Sequence, residues 1–263
     1  MANTTSPKVF IAIPSYRCAK QLPRVLDEID EKLLSRVEEI AVIDNGSPDD
    51  TVQQALAYKK AGRLGKKFHV YQNIDNYNLG GTHKVAFLHA EKRGYTHVVI
   101  LHGDNQAKSD EANILIDFML KNPTHQTVLG SRFSKKSKLI GYDRKRILGN
   151  KVLNAIYSVF TFKKLEDLGS GLNLFALSDL DKNTYLQFAD KLTFNYELLL
   201  DLVKRNINFA YVPITWREED QVTNARNLYI FRTALVNLFQ WRLGKTPDSH
   251  NRSDNYIFKE VLK

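Results

Sequence analysis

Residues 98–106 read VVILHGDNQ: four apolar side chains, then a histidine, a glycine, one carboxylate and two amides. An apolar strand that ends this way carries His102, Gly103 and Asp104 to an edge where polar chemistry can happen. Three other apolar runs end similarly. VFIAIP (9–14) leads into Pro14, Ser15, Tyr16 and Arg17, a proline-fixed turn with an aromatic ring and a cation. EIAVID (39–44) leads into Asp44, Asn45, Gly46 and Ser47. FHVYQN (68–73) is followed by NLGGTHK (78–84), whose paired Gly80 and Gly81 permit close backbone approach to a ligand, with Lys84 just beyond. Together these groups suit a nucleotide: a ring to cover a base, a carboxylate to accept from a base N–H, and amides to meet ribose hydroxyls.

The elements that must position them follow from spacing. Helical periodicity falls at 19–34, 49–61 and 80–92, between the four apolar runs, and at 109–121, after the last. The runs are nearly continuous rather than alternating, as in strands covered by helices on both faces. Strand, crossover helix and strand in succession predict a parallel α/β sheet, and ligands of such sheets bind beyond the carboxyl ends of the strands. In the second half, strands are predicted at 127–133, 171–177 and 209–216, with Pro213 marking an edge or strand end. Helices are predicted at 142–160, 195–205 and 228–243. No repeat or linker interrupts this pattern, so one domain with a C-terminal extension is expected.

The bulk composition narrows the class. At 43% hydrophobic and 25% charged, 263 residues can bury a full core. The single cysteine, Cys18, provides no disulfide framework. Neither a signal-peptide layout nor a membrane-spanning apolar run is seen, so a cytoplasmic protein is expected, attached to a membrane at most peripherally. The net charge of +9 points to an anionic partner, and much of it lies in residues 131–151. Nucleic acid is excluded as the expected partner because no reading module surrounds that run. NLYIFRTALVNLFQWRLGK (227–245) has the makings of an interfacial helix, or of one packed on the domain or on a second subunit.

The strand-end motifs IAIPSY, VIDNGSPDDT, NLGG and LHGDNQ, followed by GSRF, DLGSGLNLFAL, FNYELLL and VPITWR, resemble the family 2 glycosyltransferases over about residues 8–217. GSRF and the late proline–arginine strand most resemble the polyprenyl-phosphate sugar transferase branch. The resemblance implies a Rossmann-like GT-A fold, with a catalytic domain at 1–217 and a helical extension at 218–263. It implies that Pro14, Tyr16, Arg17, Asp44, Asn45, Gly80, Lys84, His102 and Gly103 surround a nucleotide-sugar, Gly103 leaving room for it. Asp104 matches the second acid of the family's metal motif and would hold Mg²⁺ or Mn²⁺ against the donor diphosphate. Arg132 and Arg217 match positions that contact phosphate or sugar, and Arg226 stands in for a later lysine.

Two departures stand out: His102 replaces the first acid of that metal motif, and Asn45 replaces the second acid of the D-D-G-S element. Histidine suits Mn²⁺ better than Mg²⁺, so Asp104 is expected to be the only protein carboxylate on the ion. The implied reaction is inverting transfer from a UDP- or GDP-sugar to polyprenyl phosphate or a lipid-linked saccharide. If a sugar hydroxyl attacks instead, extending a surface polysaccharide, a base is needed, and Glu197 is the first candidate, with Asp167 next. The rival of another class is a non-catalytic nucleotide-sugar-binding protein.

Overall fold

The computed structural model describes residues 6–218, 227–244 and 256–262. Its first half is β1 (Val9–Ser15), α1 (Leu22–Asp27), α2 (Glu31–Ser35), β2 (Glu39–Asp44), α3 (Thr51–Ala61), β3 (Phe68–Asn73), α4 (Asn78–Arg93), β4 (His97–Leu101) and α5 (Ala112–Lys121). Then come β5 (Thr127–Ser131), β6 (Lys138–Ile140), α6 (Arg144–Thr161), β7 (Leu172–Ala176), α7 (Lys182–Tyr185), α8 (Phe194–Lys204), β8 (Phe209–Pro213), β9 (Thr215–Arg217), α9 (Asn227–Arg242) and β10 (Phe258–Glu260).

Eight strands form one sheet in the order β10-β3-β2-β1-β4-β7-β5-β8. Neighbours β3, β2, β1 and β4 are parallel, as are β5 and β8, while β7 runs antiparallel to β4 and β5 and β10 antiparallel to β3. Every residue of β1, β2 and β4 is buried, which is what their unbroken apolar runs require. Two apolar clusters, one on each face of the sheet, form the core. The mostly parallel sheet expected from the sequence is present, with helices on both sides.

Chain order reverses at β1. The chain moves outward through β2 and β3, then returns to place β4 on the other side of β1. That reversal opens a crevice at the carboxyl ends of β1 and β4. Local departures from the expected elements have plain causes. The helix predicted at 19–34 is broken in two because Asp30 caps a new start, its carboxylate accepting from the Leu33 N–H at 2.6 Å. The strand predicted at 209–216 divides after Pro213, and Thr215–Arg217 crosses over to pair with β6 in a separate two-stranded sheet. β10 was not expected; it lies in a segment read as a polar tail.

Candidate active site

At the carboxyl end of β2, the Asp44 side chain is fully buried. Its Oδ2 accepts from the N–H groups of Gly46 and Ser47, both at 3.1 Å, and from Gln72 Nε2 at 3.0 Å. Its Oδ1 is buried with no hydrogen-bond partner. A buried acceptor without a donor is costly unless a ligand supplies one, and a base N–H would. Tyr16 is 39% exposed at the end of β1, with the Arg17 guanidinium 5.4 Å from its ring centroid. Arg17 takes a left-handed backbone (φ 55°) and donates its N–H to Ser47 Oγ at 3.0 Å, tying the β1 and β2 turns together.

Asn45, expected to touch the nucleotide, is instead spent on the protein. Its Oδ1 accepts from Asn73 Nδ2 at 3.0 Å and the Tyr77 N–H at 2.7 Å, and its Nδ2 donates to Asn76 Oδ1 at 3.0 Å. An amide does this where a second carboxylate would lack a donor. Gly80 likewise makes room for protein: a Cβ there would stand 2.6 Å from Ala189 O and from Phe194 Cβ. Lys84 is fully buried, its three N–H donors shared among four acceptors, Leu186 O at 3.1 Å, Phe188 O, Asp190 Oδ1 at 2.9 Å and Tyr256 Oη at 3.0 Å. It pins the segment before α8 rather than reaching the donor. Gly103 is a close crossing with β1, where a Cβ would lie 2.2 Å from Ser15 Oγ. The space it leaves is filled by Ser15, not kept for a ligand.

Beyond β4, His102 and Asp104 open into a cleft of about 660 Å³. The cleft is also walled by Arg132, by Tyr142, Lys145, Arg146, Asn150 and Leu153 of α6 and the turn before it, and by Asn195, Tyr196, Trp216, Ile230 and Phe231. Burial pushes the Asp104 carboxyl above its usual range, partly offset by His102 and by the Gln106 N–H that bonds Oδ1 at 3.2 Å. Burial also lowers His102 and, more strongly, His83. Their Nε2 atoms lie 3.2 Å apart, the contact of two neutral imidazoles in which one donates to the other. His102 thus spends its Nε2 on His83, and Asp104 is the carboxylate at this strand end that could hold a divalent ion. No group of three metal-ligating side chains occurs among the described residues. Asp143 also lines the cleft but caps α6, its Oδ1 accepting the Arg146 N–H at 2.9 Å, so Asp104 is the carboxylate that suits an ion whose other ligands are diphosphate and water.

Arg132 is held by Asp167 through Nε–Oδ2 at 2.8 Å and Nη2–Oδ1 at 2.7 Å. The rings of Phe133, Tyr142 and Trp216 have centroids 5.1, 6.0 and 5.0 Å from its guanidinium carbon. Burial opposes its charge but Asp167 more than restores it, so Arg132 is a fixed cation at the cleft. Arg217, expected at phosphate or sugar, is bonded to Glu28 at 2.6 and 3.0 Å and to Asn105 Oδ1 at 2.8 Å, joining β9 to the end of α1. Glu197 is not in the cleft wall. It is 4% exposed, its Oε2 accepting from the Ala189 N–H at 2.8 Å and its Oε1 from Asn237 Nδ2 at 3.2 Å. Arg226 lies outside the described residues.

Several groups escaped the sequence reading. Gln72 and Asn73, which orient Asp44 and Asn45, end the third apolar run and were visible as its last two residues. Tyr142, Lys145, Arg146 and Asn150 lie within the basic run, but only the position of α6 shows that they face the cleft.

Comparison with known proteins bears on the family and the fold. Residues 10–182 match glycosyl transferase family 2. The chain is 23% identical over 252 residues to the dolichyl-phosphate beta-glucosyltransferase of Saccharomyces cerevisiae, covering 86% of this chain and 74% of that protein. It is 29% identical over 229 residues to dolichyl-phosphate beta-glucosyltransferase ALG5D of Trichomonas vaginalis, covering 81% and 67%. Among solved structures, the glucosyl-3-phosphoglycerate synthase of Mycobacterium tuberculosis in complex with Mn²⁺, UDP-glucose and phosphoglyceric acid superposes with a TM-score of 0.63 at 18% identity, over 92% of this chain and 81% of that one. A GT-A sheet with a crevice at its strand ends, whose sequence matches the family across residues 10–182, makes this chain a glycosyltransferase belonging to glycosyl transferase family 2.

Proposed function

We propose that the enzyme moves a hexosyl group from a UDP- or GDP-sugar to a polyprenyl phosphate, with inversion at the anomeric carbon. The observation that carries this reading is the composition of the cleft. Lys145 and the Asp167-held Arg132 supply cationic groups, Arg146 being already paired with Glu218 at 2.6 Å, and Leu153, Leu192, Ile230 and Phe231 supply apolar wall. Such a wall suits an anionic head joined to a hydrocarbon tail. Glu197, the candidate base, is spent inside the protein. A phosphate monoester, with a second pKa of about 6, attacks without one. Dolichyl-phosphate is the acceptor in the names of the relatives in Saccharomyces cerevisiae and Trichomonas vaginalis.

In this reading Tyr16 covers the base and Asp44 Oδ1 accepts its N–H. An acceptor oxygen attacks the anomeric carbon from the face opposite the diphosphate; one C–O bond forms as the other breaks, and the nucleoside diphosphate leaves with the electron pair. Arg132 faces the developing charge as a preorganised cation, and Lys145 steers the incoming phosphate. Asp104 would hold a divalent ion, Mg²⁺ or Mn²⁺, which would supply Lewis-acid neutralisation of the leaving diphosphate. Residues 1–217 carry this catalytic set, and the extension from 218 contributes Ile230 and Phe231 to the cleft. The reaction belongs to the cytoplasmic face of a membrane, with the protein attached peripherally; among the described residues no helix is long and apolar enough to cross one.

The test is transfer of labelled sugar from UDP-glucose and GDP-mannose to a short polyprenyl phosphate, to the corresponding polyprenol and to a free saccharide. Transfer to the phosphate alone is expected. Transfer to the saccharide alone would replace this reading with polysaccharide extension.

A further inference from the structure

The helix that walls the cleft has a second face with no role in the site. On α6, Leu148, Val152, Ala155, Val159 and Phe162 follow one another at intervals of four and three residues, so they form one row along the helix and just past its end. All are exposed: Leu148 by 65%, Val159 by 69% and Phe162 by 87%. A continuous apolar row in water is unusual for a soluble surface and marks a place of contact.

Beside this row, on the flank of α6 away from the catalytic cleft, lies a hollow of about 620 Å³. Lys135, Lys136, Lys151 and Lys164 line it, against the single carboxylate of Glu166, which is already bonded to Lys164 at 2.8 Å and to Ser134. Apolar row and lysine hollow share Ala155 in their boundary. α9 packs on α6, with Tyr157 Oη donating to Ala234 O at 2.7 Å, and leaves Tyr229, Val236 and Phe239 exposed in a row of its own.

We infer that the outer face of α6, with its lysine hollow, is a docking surface for an anionic phospholipid bilayer. The row enters the boundary between headgroups and acyl chains, and the lysines meet lipid phosphates. Charge selects this occupant over a second copy of the chain: two molecules of net charge +9 would bring lysine hollows together. The placement gains its purpose from the polyprenyl-phosphate reading, on which it rests. α6 presents Arg146, Asn150 and Leu153 to the cleft and its outer row to the lipid, so docking would hold the cleft beside a membrane-borne acceptor.

The experiment is flotation of the whole chain with phosphatidylcholine vesicles and with mixed phosphatidylcholine–phosphatidylglycerol vesicles, at low and high salt. The wild type is expected to float with the mixed vesicles and to be released by salt. Val159→Glu with Phe162→Glu, and separately Lys135→Glu with Lys136→Glu, are each expected to weaken that binding by about tenfold or more. All four residues are solvent-facing, so circular dichroism and the melting temperature should match the wild type. Turnover of a water-soluble short-chain acceptor phosphate should be unchanged in both variants. Failure of the wild type to bind mixed vesicles would overturn the inference, as would equal binding by both variants. Dimers by sedimentation that dissociate in the Val159/Phe162 variant would assign the face to a second copy and equally overturn it. If no acceptor phosphate is turned over yet vesicle binding behaves as stated, the acceptor reading fails and the docking surface stands.

Discussion

Asp167 grips Arg132 through both carboxylate oxygens and also accepts the Arg132 backbone N–H at 2.8 Å, so one carboxylate fixes both the main chain and the side chain of the cleft's buried cation. Arg132→Lys keeps the charge but loses the planar fork and its stacking against Trp216. Turnover is expected to fall by about a hundredfold, in the range of removing one preorganised charge stabiliser. Asp167→Ala should also unfold more easily, by about 3–5 kcal/mol, because it strands a buried guanidinium. Initial rates and urea denaturation read the two effects separately; full activity in Arg132→Lys would remove this residue from the mechanism.

Asp44→Asn tests recognition of the base. The substitution keeps the size of the side chain but weakens the acceptor that faces the ligand through Oδ1. A charged hydrogen bond contributes about 1.5–3 kcal/mol, so KM for the donor should rise by about tenfold to a hundredfold with kcat little changed. A pure kcat defect would place Asp44 elsewhere in the reaction.

Glu197→Gln separates a structural carboxylate from a base. The glutamine can satisfy the Ala189 N–H or the Asn237 amide but not both as a carboxylate does. A lower melting temperature is expected, with kcat within about threefold of wild type, since a general base would contribute a hundredfold or more. Loss on that larger scale, in protein still folded at the assay temperature, would return Glu197 to the chemistry and favour a hydroxyl acceptor.

Chelation and repletion test the ion. Treatment with EDTA should abolish transfer, Mn²⁺ or Mg²⁺ should restore it, and Asp104→Ala should resist restoration. Activity that survives exhaustive chelation would show that Arg132 and its neighbours neutralise the leaving group unaided.

Far from the cleft, Glu39 gives the fold an acid limit. Burial alone would raise its carboxyl, but hydrogen bonds from His89 at 2.8 Å and Tyr95 at 2.7 Å outweigh this and hold it below the usual range. A depressed carboxyl stabilises the fold above the unfolded carboxylate value of about 4.3, and that contribution is lost as pH falls through the folded value. Melting temperature measured from neutral pH downward should therefore drop more steeply in the wild type than in Glu39→Gln. Parallel curves would mean that the Glu39 network does not contribute.

The sequence made the sheet readable because buried parallel strands are continuous apolar runs, and their polar ends put Tyr16, Asp44 and Asp104 at the carboxyl edge, where they stand in the fold. It could not show what each polar group meets across the fold. Gly80, Lys84 and Glu197 all converge on residues 186–190, a segment about a hundred residues beyond the first two, so their partners were invisible to local spacing. Gly103 was read as leaving space for the substrate, but that space is taken by Ser15 of β1, a neighbour local spacing does not reveal. β10 escaped notice because a three-residue edge strand, FKE, lacks the apolar run that betrays an inner one.

That same short strand has a further consequence. β10 occupies the outer margin of the sheet beside β3, and Tyr256 just ahead of it donates to Asp190 at 2.7 Å, within the knot around Lys84. Trimming the chain from residue 256 onward would bare the hydrogen-bonding groups of β3 to any neighbouring molecule. It would also loosen the segment leading to Leu192 in the cleft wall, so shortened protein should clump and lose turnover together.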